Sequence, residues 1–144
     1  MDRQTAIETL LDLYENPTHR GPLPGADIST NGGNPGCGDI ITIHLKVMDN
    51  QASQIMFEGE GCTISQAAAE FVADRMEGAS LHEIEQLQQD LIIEELGREV
   101  VMSRPRCATL GLGTLKQSVK EYQDARRAGQ VRASDVLSPD DLAE

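Results

Sequence analysis

Between Asp39 and Met48 apolar and polar residues alternate. Ile41, Ile43, Leu45 and Val47 share one face; Thr42, His44, Lys46 and Met48 share the other. A period of two is that of a half-buried strand. Asp49-Asn50-Gln51 reads as a turn, and Ser53–Glu58 as the returning strand of an antiparallel hairpin. After Gly59-Glu60-Gly61 the period becomes helical, with Ile64, Ala67, Ala68, Phe71, Val72 and Met76 in 63–76 and Gly78 as the stop. Upstream, Ala6, Leu10, Leu11, Leu13 and Tyr14 place a helix over 3–14. Thr5 and Glu8 look like its capping box, and Asn16-Pro17 ends it. Residues 17–38, rich in Gly, Pro and Asn, read as loop with a short extended piece near Ile28. Ser80 and Glu83 open a helix over about 81–88, and a short segment at 90–96 ends at Gly97. A longer helix over about 107–127 buries Leu110, Leu115, Val119 and Tyr122, with Gly111 and Gly113 weakening its first turns. The expected fold is α+β: a small antiparallel sheet of about three strands with several helices on one face. It forms a single domain over 1–127, followed by a polar, acidic tail over 128–144.

The charge narrows the partners. With 24 acidic and 12 basic residues the formal net charge is -12. Nucleic-acid phosphates and anionic membranes both call for clustered Lys and Arg, so neither is expected. No Trp, two Phe and two Tyr leave almost nothing on which bases would stack. No stretch has the length and apolarity of a membrane span, and the first seventeen residues lack the apolar run of a secretory signal. Three cysteines are too few, and odd in number, for a disulfide scaffold, so the expectation is a reducing, cytoplasmic setting.

Those cysteines fall at element boundaries. Cys37 sits in Asn34-Pro35-Gly36-Cys37-Gly38-Asp39 before the first hairpin strand, Cys62 where the hairpin gives way to a helix, and Cys107 at the start of the long helix. A helix N-terminus favours a thiolate, and Arg104 and Arg106 add positive charge beside Cys107. In extended backbone, residues i and i+2 face the same way, so Cys37 and Asp39 are expected to meet one metal across Gly38. With Cys62 and Cys107 they make three sulfurs and one oxygen, a set that suits Zn(II) or an iron–sulfur cluster. A lone cysteine is often a small buried hydrophobe. It is the shared context of all three that favours ligation, because the intervals of 25 and 45 residues match no local zinc motif. A cysteine hydrolase would need a histidine beside its nucleophile, and His19 in the loop, His44 on the strand and His82 at a helix start carry no such motif. His44 and His82 read as solvated surface residues, and Glu94-Glu95 and Asp140-Asp141 as solvated acidic faces. Gly111-Leu112-Gly113 lacks the preceding strand, further glycine and Lys of a phosphate loop.

The motifs NPGCGD (34–39), FEGEGCTIS (57–65) and RPRCATL (104–110), in order after LYENPTHRG (13–21), resemble the U-type iron–sulfur cluster assembly proteins, the IscU/SufU/NifU N-terminal family. The resemblance spans roughly residues 3–125. It implies an IscU/SufU-like fold, with Cys37, Asp39, Cys62 and Cys107 as ligands of a transient [2Fe-2S] cluster or of Zn(II). It also implies persulfide sulfur delivered by a cysteine desulfurase and clusters passed to apo iron–sulfur acceptor proteins. Arg106 stands where the IscU branch usually has His, and Val100–Pro105 does not match that branch's chaperone-binding LPPVK-like motif. The motifs are thus SufU-like, whereas the short interval between Cys62 and Cys107 is IscU-like. The leading expectation is a scaffold for cluster assembly, with an enzymatic, sulfurtransferase role if the chain is SufU-like. The alternative is a zinc-dependent sulfur acceptor, a sulfurtransferase partner of a SUF-type desulfurase, with Cys37 first and Cys107 second as the accepting thiol. A zinc-stabilised adaptor without sulfur chemistry is disfavoured, because structural zinc sites rarely place Asp beside three Cys.

Overall fold

The computed structural model describes residues 3–34 and 38–127. Its elements are α1 (Arg3–Glu15), β1 (Ile28–Asn34), β2 (Asp39–Met48), β3 (Gln51–Glu60), α2 (Thr63–Met76), α3 (Leu81–Gln86), α4 (Gln89–Leu96), α5 (Arg98–Val101) and α6 (Pro105–Arg127). The strands form one antiparallel sheet in the order β1-β2-β3. The α+β architecture expected from the pattern is therefore the one observed.

The hairpin follows directly from its residues. Ile41, Ile43, Leu45 and Val47 are all buried, as the alternation requires. Asp49 and Asn50 take positive φ of 54° and 60°, the pair of left-handed residues that makes a two-residue turn match the strand twist. Their side chains tolerate that region better than most. β3 is longer than expected, running over ten residues. β1 is the larger surprise. The short extended piece near Ile28 is a seven-residue strand, paired with β2 from Ile28↔Leu45 to Asn34↔Asp39. Gly32 and Gly33 hid it, because glycine is a poor strand former and signals a loop when read locally.

The helices cover one face of the sheet, with α2 and α6 packed on it and α1 against α2. Ala67, Ala68, Ala69, Val72 and Ala73 of α2 and Ala108, Leu112, Leu115, Val119 and Tyr122 of α6 build the core with Ile55 and Phe57. Ser80 caps α3, its hydroxyl accepting from the Glu83 N–H at 3.0 Å. α1 already runs from Arg3, so Thr5 and Glu8, expected as a capping box, lie inside the helix. Leu11 and Tyr14 are exposed rather than core-facing, and Leu110 is only half-buried. α5 has no counterpart in the apolar pattern, being a four-residue turn of helix after Gly97.

Gly111 has a packing role that its low helix propensity obscures. A Cβ there would sit 2.9 Å from the Ala69 Cα on α2, so the two helices touch backbone to backbone. Gly113, two residues on, faces open space. Gly111→Val is expected to lower stability by about 1–3 kcal/mol through overpacking, whereas Gly113→Ala raises it slightly through helix propensity. Urea unfolding of the two variants checks the contrast; equal effects would place the helix contact elsewhere.

Candidate metal centre

Three elements deliver the site. Asp39 is the first residue of β2, Cys62 is the N-cap of α2, and Cys107 lies in the first turn of α6. Their ligand atoms all lie within 4.8 Å of one another. Tetrahedral zinc with sulfur at about 2.3 Å and oxygen at about 2.1 Å sets its ligands roughly 3.5–3.8 Å apart, so closure needs movements of about 1 Å or less. The Cys62 Sγ is already 3.7 Å from Asp39 Oδ2, with the thiol donating to the carboxylate.

The Asp39 carboxylate is held before any metal arrives. Its Oδ1 accepts the Cys62 backbone N–H at 2.9 Å, one of the free donors at the start of α2. Oδ2 is left pointing at sulfur. This arrangement depends on Gly61, whose φ is +146°. A Cβ at that position would come within 2.1 Å of Asp39 Oδ1. Ser65 closes the other side: its hydroxyl donates to the Cys62 carbonyl at 3.0 Å and lies 3.9 Å from the Cys62 sulfur.

Burial separates the two described thiols. Cys107 is fully buried, whereas Cys62 is half-buried. Asp39 is also buried, at 2 % exposure. A carboxylate taken out of water needs partners; Asp39 has the Cys62 N–H and thiol, and its position beside two sulfurs suits a metal cation as well. Cys37 lies outside the described residues. The extended backbone expected across Gly38 is not present, because Gly38 has φ +73° and turns the chain into β2. Arg106 does not join the ligands. It is exposed and lines a groove of about 470 Å³ with Thr109, Gln117, Gln89 and the β1 residues Asn31 and Gly32.

The histidines fall out differently from one another. His82 is exposed, as expected. His44 is no free surface residue: it bridges the strands, with Nδ1 2.7 Å from Ser29 Oγ and Nε2 2.7 Å from Glu58 Oε1. His19 is buried and meets two carboxylates, Glu70 of α2 at 2.8 Å and Glu77, which caps the end of that helix, at 3.3 Å. The acidic pair Glu94-Glu95 does behave as a surface pair, bridging to Arg98 and Arg75. Glu70, buried at 3 % exposure, is the residue that sequence reasoning missed. The signal was a carboxylate inside the Ala-rich apolar run of 63–76.

Comparison with known proteins bears on the family and the fold. The NifU-like N terminal domain family matches residues 6–129. The iron-sulfur cluster assembly scaffold protein IscU of Thermotoga maritima is 34% identical over 130 residues, covering 79% of this chain and 92% of that one. A scaffold protein IscU of Archaeoglobus fulgidus is 29% identical over 115 residues, covering 80% and 74%. Among solved structures, the N-terminal part of a nitrogen-fixing NifU-like protein from Brucella abortus superposes with a TM-score of 0.69 at 17% identity, covering 81% of this chain and 93% of that one. With a family match over residues 6–129 and a 34% identical IscU relative covered to 92%, the chain belongs to the U-type, NifU-like N-terminal family.

Proposed function

We propose that this protein is a scaffold on which an iron–sulfur cluster is assembled and from which it is handed on. The observation that carries the reading is the convergence of Asp39, Cys62 and Cys107 from three separate elements. Cys37 supplies the fourth ligand in this reading. The cluster is cargo, so the site has to hold it and also let it go. Thiolates bind iron strongly, and Asp39 is the weak member of the set. Its oxygen already serves a backbone N–H, which gives it somewhere to return when it leaves iron. The sulfur comes as persulfide from a cysteine desulfurase, and the finished [2Fe-2S] unit passes to apo acceptor proteins.

A zinc-dependent sulfur relay is the second reading, favoured by the contrast in burial between the cysteines. A fully buried Cys107 suits a ligand held in place better than an attacking thiol. The accepting role in that reading therefore goes to Cys37. Cys37→Ala then abolishes stimulation of the desulfurase, and full stimulation by that variant would remove the assignment.

Asp39→Ala distinguishes a released cargo from a permanent cofactor. The variant is expected to release its cluster several-fold more slowly to an apo-ferredoxin, followed by visible absorption. Release as fast as wild type would sink the role of Asp39 as the labile ligand.

A further inference from the structure

On the far part of α2 a second ligand cluster forms. Glu70 and Asp74, at positions i and i+4 of α2, share one helix face, and Glu77 follows as the extended residue that caps the helix C-terminus. His19, from the segment between α1 and β1, inserts against them. Ligand atoms of His19, Glu70 and Asp74 lie within 4.8 Å of one another. None of these residues belongs to the sulfur-bearing centre.

The chemistry of the imidazole decides what this cluster wants. Glu70 Oε2 lies 2.8 Å from Nδ1 and sets that nitrogen as the donor. Nε2 then faces Glu77 Oε1 at 3.3 Å. In a neutral imidazole of that tautomer, Nε2 is a lone pair looking at a carboxylate oxygen. Two acceptors in that position require a cation between or beside them, either a proton on Nε2 or a metal ion. A carboxylate holding the opposite ring nitrogen is also how metal-binding histidines are commonly oriented. Charge points the same way. Two carboxylates of α2 and that of its C-cap residue Glu77 face one imidazole. Arg75, within the same stretch, turns instead to Glu95 and Phe71, and Arg20 stacks over Tyr14 and Phe57. β3 presents two backbone donors here: the Phe57 N–H donates to the His19 carbonyl and the Ile55 N–H donates to Glu77 Oε2 at 3.0 Å. Asp74 is exposed, so it can swing without disturbing the fold.

We propose that His19 Nε2, Asp74 and Glu77, with Glu70 holding the opposite ring nitrogen, form a second site, for a first-row divalent cation that accepts mixed nitrogen and oxygen ligands, such as Mn(II), Fe(II) or Zn(II). The metal takes the Nε2 lone pair and the proton held there leaves to solvent. Proton and metal therefore exclude each other at this atom.

The test uses the full chain carrying one equivalent of zinc, which the thiolate centre takes first, titrated with Mn(II) and followed by the free-Mn(II) electron paramagnetic resonance signal. Mn(II) prefers oxygen and nitrogen over thiolate, so it reports on this site alone. One equivalent is expected to bind, with proton release below the pKa of His19. Cys62→Ser is expected to keep that binding. Asp74→Asn and His19→Gln are expected to weaken it by about 10- to 100-fold. Because Asp74 is exposed, its variant remains informative even if His19→Gln destabilises the chain. No binding to the wild type, or binding unchanged in Asp74→Asn, would overturn the proposal.

Discussion

Gly61→Ala is expected to break the metal centre while leaving all of its ligands in the sequence. The new methyl would stand 2.1 Å from Asp39 Oδ1, and Ala is strained at φ +146° whatever the space around it. Asp39 must then move, and it cannot do so without releasing the Cys62 N–H. A buried N–H and a buried carboxylate would each lose a partner, costing about 1–3 kcal/mol apiece. With the backbone strain of about 1–3 kcal/mol, the loss consumes a large part of the 5–15 kcal/mol by which a typical domain is stable. The functional loss is expected to be larger still, because Oδ2 no longer points at the Cys62 sulfur. Zinc affinity measured by competition with a chromophoric chelator is expected to fall by at least the 10- to 100-fold typical of disturbed ligand support. Wild-type affinity in Gly61→Ala would mean that Asp39 binds metal from some other position.

The second large effect is expected at Glu70. Its Oε1 accepts the backbone N–H groups of Thr18 and His19, at 3.0 and 2.8 Å. Its Oε2 accepts the Thr18 hydroxyl at 3.0 Å and meets the His19 ring at 2.8 Å. One buried carboxylate therefore pins the whole segment that leads from α1 towards β1. That segment pairs with β3 through Gly21 and His19 before it reaches the other edge of the sheet. Glu70→Ala leaves two backbone donors and an imidazole without their acceptor, and a loss of about 3–5 kcal/mol is expected. Glu70→Gln is expected to cost less, since its single carbonyl oxygen can still accept from the backbone. Urea midpoints of the two variants test this; equal, small losses would mean that the segment is held by its strand pairing instead.

The same latch has a pH signature. Burial alone would lower the His19 pKa, but the hydrogen bonds and charges of Glu70 and Glu77 outweigh it and raise the value above 6.5. A raised folded-state pKa contributes stability that is fully present below the unfolded value and is lost as pH rises through the folded one. Metal-free wild type is thus expected to lose stability, relative to His19→Gln, as pH rises from 6.5 through the raised value. Parallel stability curves for the two proteins across that window would show that His19 is not charged in the native state.

Where the period is clearest, the sequence pattern sets the bounds of the elements. β2 and α2 begin and end where the alternation and the helical repeat place them. The placement of Cys62 at a helix start could be read for the same reason, since the change of period marks the boundary. β1 escaped because pairing with β2, not its own residues, makes it a strand. The latch escaped because Thr18-His19 and Glu70 are about fifty residues apart, and nothing local to either one marks them as partners. Gly61 was visible as a glycine but not as the residue that makes room for Asp39. That role needs the two segments side by side.

The central claim is that Asp39 and the cysteines form a centre that holds cluster iron only in transit. Its most direct measurement is anaerobic reconstitution with a cysteine desulfurase, cysteine and ferrous iron, followed by visible absorption, metal analysis and transfer to an apo-ferredoxin. A [2Fe-2S] spectrum that moves to the acceptor is the predicted result. One zinc retained per chain, with no cluster formed but strong stimulation of desulfurase turnover, would contradict the scaffold and establish the sulfur relay in its place.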